Sequence, residues 1–248
     1  MKYEEMVIKL RNEYIHGKVS RKELFKLYKD IYSNDNVKTF ENVISLLKQY
    51  EVITDYLNSY FMIVNKQLYK TKEEKELIKI DKIISKEYED IKTIVWSTKI
   101  LNEFTQHYSF NNLIVVETER YAIEMILMLL KEKLMKKYTI VTENMYKDNE
   151  NMFLNDENVL IVKALNSRAP LEKDKNGILE PTIEKIMIDL YKDKLYERFQ
   201  GKELEHIYIN IFENYSINLK KLYSYAKDRG DLEKYKKYLK KIKVLEKV

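Results

Sequence analysis

Three short stretches near the start of the chain repeat apolar residues at helical spacing. They run Tyr3–Tyr14, Arg21–Tyr32 and Val37–Gln49. Ser20 precedes the second, with Glu23 three residues on, which is the pattern of a capping box. Asn36 stands where an N-cap of the third belongs. In that third segment Phe40, Val43, Ile44 and Leu47 form one apolar stripe. Lys38, Thr39, Asn42, Ser45 and Lys48 point away from it. A strand–turn–strand follows, with Glu51–Thr54 as the first strand, a turn at Asp55–Asn58, and Tyr60–Val64 as the second. Three helices ending in a hairpin predict a DNA-binding winged helix over residues 1–66. The outward side chains of its third helix are the types that reach phosphates and base edges from a major groove.

Residues 66–76 are polar and read as a linker into a helix ending near Lys86. Beyond it, short apolar strands at Thr93–Trp96, Asn112–Val116, Tyr138–Val141 and Val159–Val162 alternate with helical segments at Thr98–Phe104 and Glu119–Lys133. Alternation of this kind predicts an α/β core with a mixed or parallel sheet covered on its faces. From Pro181 the pattern turns helical. Pro181 suits the first position of a helix, with Ile183, Ile186, Met187 and Leu190 on one stripe. Leu204–Glu213, Asn218–Lys227 and Leu232–Val244 continue it, and Gly230 sits where a helix C′ glycine belongs. The predicted fold class is α+β: a winged helix (1–66), then an α/β core with a mixed sheet and a helical C-terminal bundle (67–248).

The charge is small overall, +5, but unevenly spread. Residues 1–70 carry +3, residues 220–248 carry +7 and the middle carries −5. Basic ends around an acidic centre fit contact with nucleic acid at the ends; a lysine-rich final helix is also an ordinary solvated face. No cysteine is present, so disulfides, thiolate metal sites and a cysteine nucleophile are excluded. No apolar run approaches the ~20 residues of a membrane span, and the opening MKYEEMVIKL lacks the form of a signal peptide. The expectation is a soluble cytoplasmic protein.

Candidate chemistry is sparse. Four isolated glycines make neither a P-loop nor a dinucleotide fingerprint. His16, His107 and His206 are too far apart for metal-ligand spacing. Glu117 and Glu119 after the second core strand, with Lys163 ending the fourth, form part of a metal-dependent nuclease array, yet no acid stands two residues before Lys163. The array is incomplete, and they read first as charges at sheet ends. The loop Lys163–Leu171 combines Asn166, Ser167 and Arg168, and the following helix opens with Glu184 and Lys185, with Asp189 a turn later. Such groups bind a ligand or partner, or simply make a turn and a cap. The expectation is no cofactor, no metal and no catalytic residue.

These later motifs carry a resemblance. Ser167-Arg-Ala-Pro170 followed by Pro181-Thr-Ile-Glu-Lys-Ile-Met-Ile-Asp-Leu190 is similar to the AbiEi-type antitoxins of bacterial type IV toxin–antitoxin systems. Thr182, Glu184, Lys185 and Asp189 stand in similar places, with lysine where that family more often has arginine. Trp96-Ser-Thr98, Leu101-Asn-Glu-Phe104, Gln200-Gly-Lys-Glu-Leu204, Tyr215-Ser-Ile-Asn218 and Tyr225-Ala226 resemble one subgroup. The resemblance implies a non-enzymatic repressor of phage-defence (abortive-infection) systems. Such a repressor binds double-stranded DNA in its own promoter and opposes a nucleotidyltransferase-fold toxin without a stable complex. It places DNA contacts at Arg21, Lys22, the third helix and the hairpin, including Tyr56 and Asn58, and the antitoxin surface at Ser167, Arg168, Glu184, Lys185 and Asp189. Two other readings of the residues stand beside it: a nuclease, degenerate or active, delivered by its winged helix, and a protein-interaction module.

Overall fold

The computed structural model describes residues 3–14, 17–33, 36–56, 59–71, 74–105, 112–153, 156, 158–174 and 176–244. His16, Asn58 and His107 lie outside the described residues. The chain divides into two compact units, one of 1–69 with 212–224 and one of 70–211 with 225–248. The sequence pattern predicts one domain over all of 67–248. The stretch Phe212–Ser224 belongs instead with the N-terminal unit, tied to it by contacts that no local pattern reveals.

The first unit runs α1 (Glu4–Glu13), β1 (Lys18–Ser20), α2 (Arg21–Tyr32), α3 (Val37–Gln49), β2 (Ile53–Tyr56) and β3 (Tyr60–Ile63). The strands form an antiparallel sheet in the order β1-β3-β2. The three helices and the β2–β3 hairpin lie where the sequence pattern predicts them, and β1 is an addition to it. The capping box at the start of α2 is complete: Glu23 N–H donates to Ser20 Oγ at 3.2 Å and Ser20 N–H to the Glu23 carboxylate at 2.8 Å. Asn36 Oδ1 caps α3 by accepting from Thr39 N–H. The predicted apolar stripe of α3 is buried, packed with Met6, Leu10, Leu24, Tyr28 and Phe61. β2 begins two residues later than the pattern suggested. Glu51 takes a left-handed φ of 49°, and Glu51 and Val52 N–H donate back to Lys48 and Leu47 carbonyls, closing α3 as a Schellman motif.

In the second unit α4 (Lys75–Glu87) leads into β4 (Thr93–Ser97), a 3₁₀ turn (Thr98–Glu103) and β5 (Ile114–Thr118). A second 3₁₀ turn opens α5 (Ile123–Leu134), then come β6 (Thr139–Thr142), α6 (Glu143–Asp148), α7 (Glu150–Phe153) and β7 (Val159–Ala164). The sheet order is β4-β5-β7-β6, with β4 antiparallel to β5 and the other pairs parallel, so the sheet is mixed. Val95, Val116 and Val162 share one row of one face, which α4 and α5 cover through Ile80, Ile84, Ile126 and Leu130.

A hairpin of β8 (Leu171–Lys173) and β9 (Leu179–Pro181) follows. Pro181 therefore ends a strand instead of opening a helix. Thr182 is the N-cap of α8 (Ile183–Lys192), its side chain accepting from Lys185 N–H. The remaining elements are a 3₁₀ segment (Lys194–Phe199), α9 (Lys202–Asn214), α10 (Leu219–Asp228) and α11 (Leu232–Lys241). Gly230 has φ 78°, and its N–H and that of Asp231 bond back to Lys227 and Ala226 carbonyls. Gly230 thus terminates α10 as expected. Among the described residues no helix is long and apolar enough to cross a membrane.

Candidate functional site

On the first unit, burial of the α3 stripe forces the opposite face outward. Lys38, Asn42 and Ser45 are exposed, while Thr39 and Lys48 are partly covered. Lys48 reaches Asp55 of β2 at 2.5 Å and lies over the Phe61 ring, tying α3 to the hairpin. Arg21 pairs with Glu41 of α3. Its backbone N–H donates to the carbonyl of Ser59, a left-handed residue beside the hairpin turn. Lys22 is exposed on α2. Of the side chains expected to touch DNA on α2, α3 and β2, Arg21 and Lys48 are thus paired with acids near the helix–hairpin junction, while Lys22, Lys38, Asn42 and Ser45 face outward.

Tyr60 lies in the hairpin expected to touch DNA, and Lys18, to which the sequence pattern gives no role, joins it. Tyr56 and Tyr60 face each other across the β2–β3 pair, and both are exposed. Lys18 Nζ donates to the Tyr56 hydroxyl at 3.2 Å and lies 4.4 Å from its ring centroid. β1 has three residues, and so short a strand gives too little alternation to announce itself.

The second unit holds a chain of buried charges. Register places Glu117 of β5 beside Lys163 of β7, on the sheet face opposite the one that α4 and α5 cover. Glu117 Oε1 accepts from Trp96 Nε1 at 2.8 Å and from Lys185 Nζ at 2.6 Å. Lys185 also donates to Asp189 at 2.7 Å. Asp189 accepts from the Tyr225 hydroxyl at 2.9 Å and from Arg229. Arg229 bridges on to Asp193, which accepts from Lys163 at 2.7 Å, and Lys163 lies 3.6 Å from Glu143.

Burial works against charge on Lys163 and Lys185, but the carboxylates around each outweigh it and raise both pKa values. Burial also opposes ionised Asp193, yet Lys163 and Arg229 leave its carboxyl below the usual range. The Tyr225 hydroxyl is pushed up, by burial first and then by Asp189. Every acid named here is bonded to a cation of the same chain, and among the described residues no group of three acids or histidines has metal-binding form. Of the three residues of the partial nuclease array, Glu117 and Lys163 are register partners, while Glu119 lies past the end of β5 and accepts from Lys92 N–H and Tyr121 OH.

This geometry corrects the expected antitoxin surface. Glu184, Lys185 and Asp189 are 1%, 0% and 1% exposed, because the first turns of α8 pack inside the unit. They hold the interior and present no surface. Ser167 and Arg168 are exposed, and Arg168 reaches Asp228 at the end of α10 at 2.8 Å. Asp193 and Arg229 complete the ion chain, and no local spacing in the sequence links Asp193 to Lys163 or Arg229 to Asp189.

Fold and sites together define an α+β protein of two units, one a small helix–hairpin unit, the other a mixed sheet braced by buried ion pairs. The chain belongs to a family of unknown function, DUF6577, whose family model matches residues 39–244. No curated protein and no solved structure matches it.

Proposed function

We propose that the protein is a non-enzymatic, sequence-specific DNA-binding repressor of its own promoter, acting in the cytoplasm as the antitoxin of a type IV toxin–antitoxin system. The observation that carries the DNA-binding part is the outward strip of Lys38, Asn42 and Ser45 on α3, set beside the hairpin with Lys18, Tyr56 and Tyr60. A helix of this width fits a major groove, its amide and hydroxyl groups reading base edges while lysines and the hairpin hold phosphates. The antitoxin part, with a nucleotidyltransferase-fold toxin opposed without a stable complex, is supported by the resemblance of the loop and helix at 167–190 to AbiEi-type antitoxins.

A gel-shift titration on the DNA upstream of its own gene, at two salt concentrations and with an unrelated fragment as control, tests the first part. Tight binding to the upstream fragment alone is expected, weakening steeply with salt as phosphate contacts release counterions. Equal weak binding to both fragments overturns it. Lys38→Ala is expected to weaken binding uniformly across sequences, whereas Asn42→Ala relaxes discrimination at one base pair by ~1–3 kcal/mol. If both variants bind like the parent, α3 is not the reader. Co-expression tests the second part: relief of growth arrest caused by a nucleotidyltransferase-fold protein encoded beside the gene is expected, and persistent arrest removes the antitoxin role while leaving DNA binding intact.

A further inference from the structure

The second unit contains a cavity of about 310 Å³ bounded by α4, β4, the 3₁₀ turn after β4 and the β8–β9 hairpin. Its walls are largely apolar: Leu77 and Ile78 from α4, Trp96 from β4, Ile100 and Ile178. A concave apolar space of this size, with a few polar groups converging on it, is what small organic ligands occupy.

The polar groups fix the sign of the ligand. Five carboxylates line the cavity (Glu74, Asp81, Glu103, Asp174 and Glu180) against one ammonium, Lys99, which lies 3.6 Å from Glu74. Glu180 accepts from Thr71. Asp174 accepts from the backbone N–H of Asn176 and Ile178 at 2.8 and 2.7 Å and from Asn176 Nδ2 at 3.0 Å, which shapes the hairpin turn, and among the described residues no cation pairs with it. Asp81 is half-buried on α4 and, among the described residues, has neither a hydrogen bond nor an ion pair. Its carboxyl pKa is raised, by burial first and then by facing Asp174. An anionic ligand adds repulsion here, and a neutral one leaves two facing carboxylates without a counter-charge. A cation removes both costs.

We propose that this cavity binds a small organic cation, an ammonium or guanidinium group on an apolar body. Asp81 and Asp174 take the charge, and Trp96, Leu77 and Ile78 enclose the body. The site stands independently of the DNA-binding reading.

Trp96 supplies the readout. It is the only tryptophan in the chain, it lines the cavity, its Nε1 donates to Glu117, and Lys185 Nζ lies 5.6 Å from its ring centroid. The full chain is titrated at millimolar concentrations with phenethylammonium, with 3-phenylpropionate as the anion of similar shape, while Trp96 fluorescence is followed. A saturable change with phenethylammonium and none with 3-phenylpropionate is expected. Asp81→Asn, which keeps the side-chain shape, is expected to retain the parent thermal transition and to weaken the ammonium by about tenfold or more. No saturable response to the ammonium, an equal response to both probes, or unchanged affinity in Asp81→Asn overturns the proposal. The comparison of the two probes is made on the parent chain, so it decides even if the variant fails to fold.

Discussion

Lys185 holds its charge with no exposure to water, between Glu117 and Asp189. Desolvation of three such groups is costly, and only close pairing offsets it. Removing one partner leaves the others buried and unpaired. Lys185→Met is therefore expected to destabilise the second unit by about 3–5 kcal/mol, read as a lower urea midpoint. A midpoint equal to the parent's would mean that the charges relax into water once unpaired. The same cluster sets a pH window. Lys163 and Lys185 have raised folded pKa values, so their contribution is full below about pH 10, their unfolded value, and is lost only as pH rises through the higher folded values. Asp193 has a lowered value, so its contribution is present above about pH 4 and disappears as pH falls through its folded pKa. Asp193→Asn should be less stable than the parent at neutral pH and lose less on acidification. Urea midpoints measured down the acid limb check this, and parallel curves for parent and variant would remove Asp193 from the account. Glu117, Lys163, Lys185 and Asp189 each stood out in the sequence as separate polar residues. Their convergence did not, because 68 positions separate Glu117 from the lysine it binds.

The boundaries that local chemistry sets were legible in the sequence. Ser20 with Glu23 starts α2, Asn36 starts α3 and Gly230 stops α10, because a cap is made by residues within a turn of one another. Elements fixed by distant partners were not legible. β1, β8 and β9 have three residues each and exist through pairing with other strands. At the start of β2 a long-range hairpin competes with a local stop, and the stop at Glu51–Val52 takes the first two residues. The α2 cap gives a direct test. Ser20→Ala removes the acceptor for Glu23 N–H and should cost the first unit about 1 kcal/mol, seen as a drop of a few degrees in its thermal transition with the α2 contacts otherwise kept. An unchanged transition would show that Glu23 alone satisfies the end of the helix. Phe40 lies at the other extreme, as a large side chain in the centre of the core. Phe40→Ala is expected to cost about 3–5 kcal/mol and to abolish the transition of this unit.

At the scale of the whole chain, the N-terminal unit is not a continuous segment. Ile217 and Leu222 are buried members of the returning stretch Phe212–Ser224. Gln67 N–H donates to the Asn214 carbonyl and Ser216 N–H to the Gln67 carbonyl, at 2.7 and 2.8 Å. Arg11 reaches both Val64 and Ser216, and Lys221 Nζ donates to the Tyr50 hydroxyl at the end of α3. The helix that carries the proposed DNA-reading face is thus braced by residues more than 150 positions away. Burying a large aliphatic side chain is worth about 1.5–3 kcal/mol, so two of them with their hydrogen bonds amount to a large share of a small unit's stability. A fragment of residues 1–69 is therefore expected to melt below the corresponding transition of the full chain, and a peptide of residues 212–224 added in excess should raise its midpoint by mass action. A fragment that melts with the full chain and ignores the peptide would show that the first 69 residues form a self-sufficient unit. If the fragment is instead weakened, its DNA affinity should fall with its folded fraction and recover with the peptide. Loss of binding by an isolated head would then report on the missing brace before it reported on α3.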